Sequence, residues 1–327
     1  MTDPDAGASV PFADAPRDPA DTPLVTAVVT TYDRPDYLRT AVRSVRDQTY
    51  ENLELVVVDD HSPTPAAETL DDVNLTGLAA VRIRRHDENR GANAARNTGI
   101  EAAAGEYVAF LDDDDQWVPE KIDRQVATFR DAPADVGVVY TGRETIGPDE
   151  REVIIPPEVD GDMTRALLCR NVVGSLSVVM VRTELTRAVP LDEAFPAWAD
   201  LEWYIRLSRR TTFVRLPEPL TVYEFTSHGR LSEDIEKKIE SYELFLERFD
   251  PLAKGYGRLF RRKMRAWAAF RIGKSALSIR DYHHARRFIA TALATYPLEG
   301  AFVPYFLGTV GGRVTHRLAR RLKGLGG

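Results

Sequence analysis

The feature that most narrows the fold is an alternation near the N-terminus. Leu24–Thr31 (LVTAVVTT) is a short run rich in β-branched residues, and after the polar TYDRPD segment Leu38, Ala41, Val42 and Val45 recur at helical spacing. The pattern repeats: Leu53–Val58 ends at Asp59 and Asp60, Ala80–Arg84 precedes Asp87, and Tyr107–Leu111 ends at a run of aspartates. Helical segments over Asn93–Ala104 and Pro119–Phe129 fill the gaps. Strands alternating with helices predict an α/β fold around a doubly wound, parallel sheet, in which ligands bind outside the carboxyl ends of the strands. Beyond a strand at Val136–Tyr140 the signal loosens into a strand at Val178–Val181, an amphipathic helix at Asp200–Arg209 and a strand at Leu220–Phe225. From Leu231 onward it is helical, most clearly over Asp281–Tyr296.

A chain of 327 residues has room for one large α/β domain and an appendage. The expected division is a disordered leader over 1–22, a catalytic domain over 23–232 and a helical, basic region over 233–327. The leader has neither a basic n-region nor an apolar h-region, so it does not read as a signal peptide. The longest apolar run, Ala301–Val310, falls short of the roughly 18 residues of a membrane span. A single cysteine, Cys169, excludes an intramolecular disulfide and a multi-cysteine zinc site. The chemistry must therefore rest on oxygen and nitrogen groups, and a reducing, cytoplasmic setting is expected.

Directly after the fourth strand, Phe110-Leu-Asp-Asp-Asp-Asp-Gln-Trp117 sets four carboxylates side by side. Their mutual repulsion raises the free energy of the site unless a cation offsets it. Hard oxygen ligands suit Mg²⁺ or Mn²⁺, which commonly bind one or two carboxylates together with substrate phosphates. The alternative is a solvated acidic turn, which the position at the end of a buried strand disfavours.

Four segments in order, VVTTYDRPDYLRTAVRSVRDQTY, LELVVVDDHS, ENRGANAARNTGIEAAAGEYVAFLDDDDQW and ADLEWYIRL, resemble the motifs of the family-2 glycosyltransferases with the A-type, nucleotide-diphospho-sugar transferase fold. The resemblance spans roughly Pro23 to Ser232. It implies a doubly wound, mixed but mainly parallel sheet with a helical C-terminal extension, and a metal-dependent inverting transfer of a sugar from a nucleotide-diphosphate donor to a hydroxyl. It assigns Thr30, Tyr32 and Arg34 to the nucleotide base and ribose, the Tyr32 ring offering a stacking face. Asp60 would accept from a pyrimidine imide, the bland reading being an Asx turn or helix cap. Gly91 would permit a tight approach, and Arg96 either contacts the donor or forms a structural ion pair. Asp112 and Asp113 would lie nearest the sugar and ribose hydroxyls, with Asp114 as metal ligand and Asp115 behind them.

Inversion needs a base for the acceptor hydroxyl, and the resemblance makes Asp200 that base, with Glu202 in reserve. Asp200 could equally cap its helix. Two positions depart from the family pattern: Ala199 stands where a Glu is usual, and His61 where a small residue such as glycine is more common. Downstream, His228 and Arg230 fall in a loop that in relatives closes over the donor phosphates.

Charge is split unevenly. From Gly255 onward there are 15 Lys or Arg against Asp281 and Glu299 alone, while the preceding chain holds 28 basic and 48 acidic residues. A basic, partly aromatic tail on an acidic body suits an anionic membrane surface, hence peripheral attachment to the inner face of the plasma membrane and a lipid-linked or surface-glycan acceptor. The competing expectation is that this region packs on the catalytic domain. Nucleic acid is disfavoured, since no binding motif accompanies the charge. Two other functions fit less of the pattern. A nucleotidyltransferase would place a glycine-rich basic loop where TTYDRPD stands, and an inactive sugar-nucleotide-binding scaffold would bind donor without turnover.

Overall fold

The computed structural model describes residues 22–147, 151–159, 161–224 and 234–310. β1 (Val25–Thr31), β2 (Leu53–Asp59), β3 (Ala80–Arg85) and β4 (Tyr107–Asp112) form a parallel block in the spatial order β3-β2-β1-β4. β1, β2 and all but the last residue of β4 are buried along their length, which is why they read as near-continuous apolar runs. Their side chains nonetheless alternate between two cores, as a period of two requires. Val28, Val56, Val58, Val108 and Phe110 face one core, while Val25, Ala27, Val29, Leu55, Val57 and Leu111 face the other. β3 is the half-exposed edge and is blunted by charge: Arg82 pairs with Glu54, and Arg85 with Asp59 at 2.7 Å.

Helices α1 (Pro35–Arg46), the short α2 (Ala66–Thr69) and α3 (Ala92–Ala102) link these strands, and α4 (Lys121–Asp131) follows the next, short strand. Leu38, Ala41, Val42 and Val45 of α1 are all buried in the second core, matching the helical spacing. Removing the leucine and valine side chains among them from water contributes about 1.5–3 kcal/mol each.

β5 (Asp115–Trp117), β6 (Val136–Ile146), β7 (Arg151–Ile154), β8 (Val179–Arg182) and β9 (Thr212–Glu224) complete the sheet, in the order β4-β8-β6-β9-β5 with β7 alongside β6. β8 pairs antiparallel with both β4 and β6, and β9 runs parallel to β6, so the sheet is mixed beyond β4. The far end of β9 returns antiparallel to β5, setting Tyr223 opposite Asp115. The acidic turn is therefore shorter than expected: Asp115 opens a strand. Between lie α5 (Met163–Cys169), a 3₁₀ turn (Leu176–Val178), α6 (Thr183–Ala188) and α7 (Ala199–Ser208).

The C-terminal region is helical: α8 (Ile235–Gly255), α9 (Arg258–Ser278), α10 (Tyr282–Thr295) and α11 (Phe302–Val310). Phe245, Phe249 and Ala253 of α8 and Phe260, Met264 and Ala268 of α9 belong to the same core as the sheet residues Val28 and Phe110. The opposite side of α9 packs with α10 and α11 in a separate cluster around Phe270, Ile289 and Phe302.

Candidate active site

Three strand ends of the parallel block converge at one edge of the sheet. Register places Thr30 opposite Val58 on one side and Asp112 on the other, and Thr31 opposite Asp59. The chain after β1 turns through Asp33, at φ 53°, into α1, whose first residue Pro35 suits a helix start. That turn delivers Arg34 to the aspartates: its Nη1 lies 3.2 Å from Asp113 Oδ1 and 3.2 Å from Asp114 Oδ2. The Thr31 hydroxyl donates to Asp113 Oδ2 at 2.7 Å.

Even with these partners, burial pushes the Asp113 carboxyl up to about 6, with Asp114 and Asp112 adding to the push. The turn is thus over-supplied with negative charge, as a cation site would be. Among the described residues no group of three or more His, Cys, Asp or Glu is placed to hold a metal ion by itself. Asp114 offers hard carboxylate oxygens of the kind that bind a divalent cation together with ligand phosphates, with Arg34 paired to one of them here.

At the end of β2 the two aspartates divide their work. Asp59 makes the local turn, accepting from the Ser62 and Ala66 amides at 2.7 and 2.9 Å and from Arg85. Asp60 instead accepts from the amides of Arg90 and Gly91 at 2.8 and 2.7 Å and from His86 Nδ1 at 2.7 Å. So the Asx turn belongs to Asp59, and Asp60 anchors the glycine-bearing loop that launches α3. His61 sits at φ 71°, a left-handed conformation that costs any residue with a Cβ energy and that glycine adopts freely, which gives a physical reason for the small residue expected there.

A cleft lies between the β1 and β2 turns, lined by Thr31, Asp33, Arg34, Pro35, Leu38, Ser62, Thr64, Ala66 and Thr69. Of the residues expected at the base and ribose only Arg34 lines it. Thr30 is buried in β1, Tyr32 is 48% exposed beside the cleft, and Asp60 is buried behind it. Ser62 closes the LELVVVDDHS segment without a role assigned to it and Thr64 lies outside every motif, and only the folding of β2 against β1 brings them here.

α3 carries Arg96 to the other side of the Asp run, where Nη2 bonds Asp112 Oδ1 at 2.6 Å. Burial opposes the charge on Arg96, but Asp112 first and Asp200 after it hold its pKa above the ordinary arginine value. Arg96 thus links the Asp run to Asp200, some ninety residues away. The Asp112 amide in turn donates to Ser177 Oγ at 3.1 Å, so the 3₁₀ turn supports the run from beneath.

Asp200 lies in the first turn of α7 and is not its cap; that position is held by Trp198, at φ 58°. Asp200 Oδ1 accepts from the Leu201 amide and Oδ2 from Asn171 Nδ2, each at 2.7 Å. Packed deep in protein yet reached by solvent, Asp200 has its pKa raised by burial and by Asp112, against the pull of Arg271 and Arg96. Glu202, by contrast, is fully buried beneath Arg206 at 2.6 Å and Arg248 at 2.7 Å. It cannot meet a substrate without breaking both pairs. Asn171, unmarked in the sequence, supplies the orienting contact to Asp200 and also lines a second cleft with Thr141, Arg143, Pro156, Pro157 and Gly174. His228 and Arg230 lie outside the described residues.

Comparison with known proteins points to one family. Residues 26–181 match the family model described as Glycosyl transferase family 2. That match, 156 of the 327 residues, marks a family-2 glycosyltransferase domain. Among relatives of this glycosyltransferase, TuaG of Bacillus subtilis, assigned to teichuronic acid biosynthesis, is 27% identical over 211 residues, covering 63% of this chain and 81% of TuaG. WfaP of Escherichia coli, a UDP-Glc:α-D-GlcNAc-diphosphoundecaprenol β-1,3-glucosyltransferase, is 35% identical over 103 residues, 32% of this chain and 40% of WfaP. EpsH of Bacillus subtilis is 36% identical over 111 residues, and the chain spans only about a third of its length, 32%. The fold of the glycosyltransferase is shared with TarS of S. aureus in complex with UDP-GlcNAc, at TM-score 0.55 and 15% identity over 88% of this chain and 80% of that one. It is shared too with the mannosyltransferase PcManGT of Pyrobaculum calidifontis in complex with GDP-Man and Mn²⁺, at TM-score 0.56 and 19% identity over 96% and 90%.

Proposed function

We propose that this enzyme transfers a sugar from a nucleotide-diphosphate donor to a hydroxyl acceptor with inversion, using Asp200 as general base and a divalent cation at Asp114. The observation that carries the reading is the convergence of Asp112 and Asp200 on Arg96, which ties the acidic turn read as the donor side to the carboxylate read as the base through one buried guanidinium. The nucleoside would lie in the cleft between Arg34 and Ser62, and the sugar and ribose hydroxyls would meet Asp112 and Asp113. Complexes of fold relatives with UDP-GlcNAc and with GDP-Man and Mn²⁺ support such a donor. When bound, the cation would stabilise negative charge on the departing nucleoside diphosphate.

The acceptor hydroxyl would approach from the Asn171 side. Asp200 takes its proton as the new glycosidic bond forms, and the nucleoside diphosphate leaves with the electron pair of the old one. A carboxylate raised by burial is better matched to that task near neutral pH than an exposed one. Asn171 and the Leu201 amide hold the two oxygens so that one face of the carboxylate is presented in a fixed direction.

A lipid-linked acceptor is favoured by WfaP, whose acceptor is a diphosphoundecaprenol, and by the exposed Val303 and Leu307 of α11 next to the basic sequence from Arg313 to Lys323. No helix among the described residues is long and apolar enough to cross a membrane, so attachment would be at the interface.

The test is release of nucleoside diphosphate from a panel of nucleotide sugars with Mn²⁺, Mg²⁺ or chelator, for the parent, Asp114→Ala and Asp200→Asn. The expected result is metal-dependent turnover with one donor, lowered about 10²–10⁴-fold in Asp200→Asn while donor affinity is kept. An anomeric configuration retained in the product would refute inversion. Donor binding without turnover across acceptors would favour a scaffold. Flotation with anionic against neutral vesicles tests the membrane part separately.

A further inference from the structure

Arg271, on α9, is packed between two aromatic rings, its guanidinium carbon 4.6 Å from the Trp198 centroid and 5.7 Å from that of Phe245. Its Nη2 donates to the Cys169 carbonyl at 3.2 Å, while its Nη1 is buried with no hydrogen-bond partner among the described residues. For stability alone this is a poor use of an arginine. A desolvated cation with an unsatisfied donor works against folding, and an apolar side chain of similar length would fill the slot at less cost. Burial pulls the Arg271 pKa down to about 10 even though Asp200 and Cys169 oppose the shift.

The contacts of Arg271 frame the base from both sides. Trp198 stands two residues before Asp200, at the left-handed turn that starts α7. Cys169 stands two residues before Asn171, the residue whose amide holds Asp200 Oδ2. The other charged or titratable groups facing Asp200 are Arg96 from α3, Asp112 from β4 and Tyr204 from α7 itself. Around Cys169 the field also includes Arg165, Arg170 and Lys263.

We propose that Arg271 is a positioning residue for catalysis: a buried charge, supplied by the C-terminal helices, that keeps Asp200 ionised and braces the junction of α5 and α7 on which Asp200 and Asn171 sit. The proposal rests on Asp200 being the base. Burial raises the Asp200 pKa, and the Leu201 amide, Arg271 and Arg96 pull it back down. A base must be ionised to accept a proton, so loss of Arg271 moves the acid limb of the rate profile to higher pH. A purely structural role would lower the rate at every pH and leave that limb where it was.

The experiment measures kcat as a function of pH by nucleoside diphosphate release from the full chain with its active donor, for the parent, Arg271→Met, Arg271→Lys and Asp200→Asn. Circular dichroism, melting temperature and donor Kd are recorded for each. Arg271→Met is expected to fold with an undiminished melting temperature and to bind donor as the parent does. Its kcat near pH 6.5 should fall about ten-fold or more, and its acid limb should move up by about half to one pH unit. Arg271→Lys, which keeps the charge, should hold the limb at the parent position. An unmoved limb in Arg271→Met, a limb moved equally far in Arg271→Lys, or an Arg271→Met chain that fails to fold would each overturn the proposal. Parent-like turnover in Asp200→Asn would instead overturn the assignment of the base.

Discussion

Asp113 holds the sharpest conflict among the individual residues, a carboxylate buried beside two others and answered by Thr31 and Arg34. Its folded pKa, about 6, lies above the unfolded value of about 3.9, so its contribution to stability is fully present below about pH 4 and is lost as the pH rises through about 6. Asp113→Asn is therefore expected to stabilise the ligand-free chain by about 1–3 kcal/mol at pH 7.5 and by little at pH 4, measured by urea unfolding at both pH values. His61 is a second local cost. With φ at 71° it should give back up to about 1 kcal/mol on His61→Gly, read as a raised urea midpoint with an unchanged slope. The departure of His61 from the family pattern was legible in the sequence; its reason was a backbone angle and was not. Likewise the pair Asp59-Asp60 reads as two equivalent acids until the fold sends one to the local turn and the other to the loop at Gly91.

Among the elements, α3 shows how tightly site and core are joined. A Cβ on Gly99 would come within 2.3 Å of Val28 Cγ1, so α3 rests directly on β1. Gly99→Ala is expected to cost about 1–3 kcal/mol by denaturant titration, and also to reduce turnover, because the helix it displaces carries Arg96. The strands of the parallel block were readable because burial on both faces makes them apolar throughout. β9 was read only at its far end because Pro217 and Pro219 interrupt it, and prolines are unexpected in a strand interior. The fold accommodates them where the pairing with β6 shifts register, between Thr141 and Arg143. β5 has no signal of its own, being three residues that become a strand only because β9 returns alongside.

At the scale of the whole molecule, α8 and the first half of α9 complete the core beneath the active site. Loss of Phe245, Phe249, Phe260 and Met264 together removes contacts that cost about 2–5 kcal/mol each when truncated singly, against a total stability of about 5–15 kcal/mol. A chain ending at residue 232 is therefore expected to lack cooperative unfolding and a fixed near-ultraviolet dichroism signal. The full chain should keep both. The acidic body and basic C-terminal region are thus joined by packing as well as sequence, with Arg271 stacked on Trp198 from the basic side.

What the sequence determined by itself was the alternation of strand and helix, the acidic turn at the end of a buried strand and the motif order of a glycosyltransferase. Each of these is local or ordered along the chain, so period, composition and spacing record it. The tertiary structure alone decided that Asp59 holds the local turn while Asp60 holds the loop at Gly91, that Asn171 bonds Asp200, and that an arginine from the C-terminal helices stacks on Trp198, two residues before it. Those facts depend on contacts between residues tens to a hundred positions apart, and the burial that sets their charges exists only once the sheet and helices have closed around them.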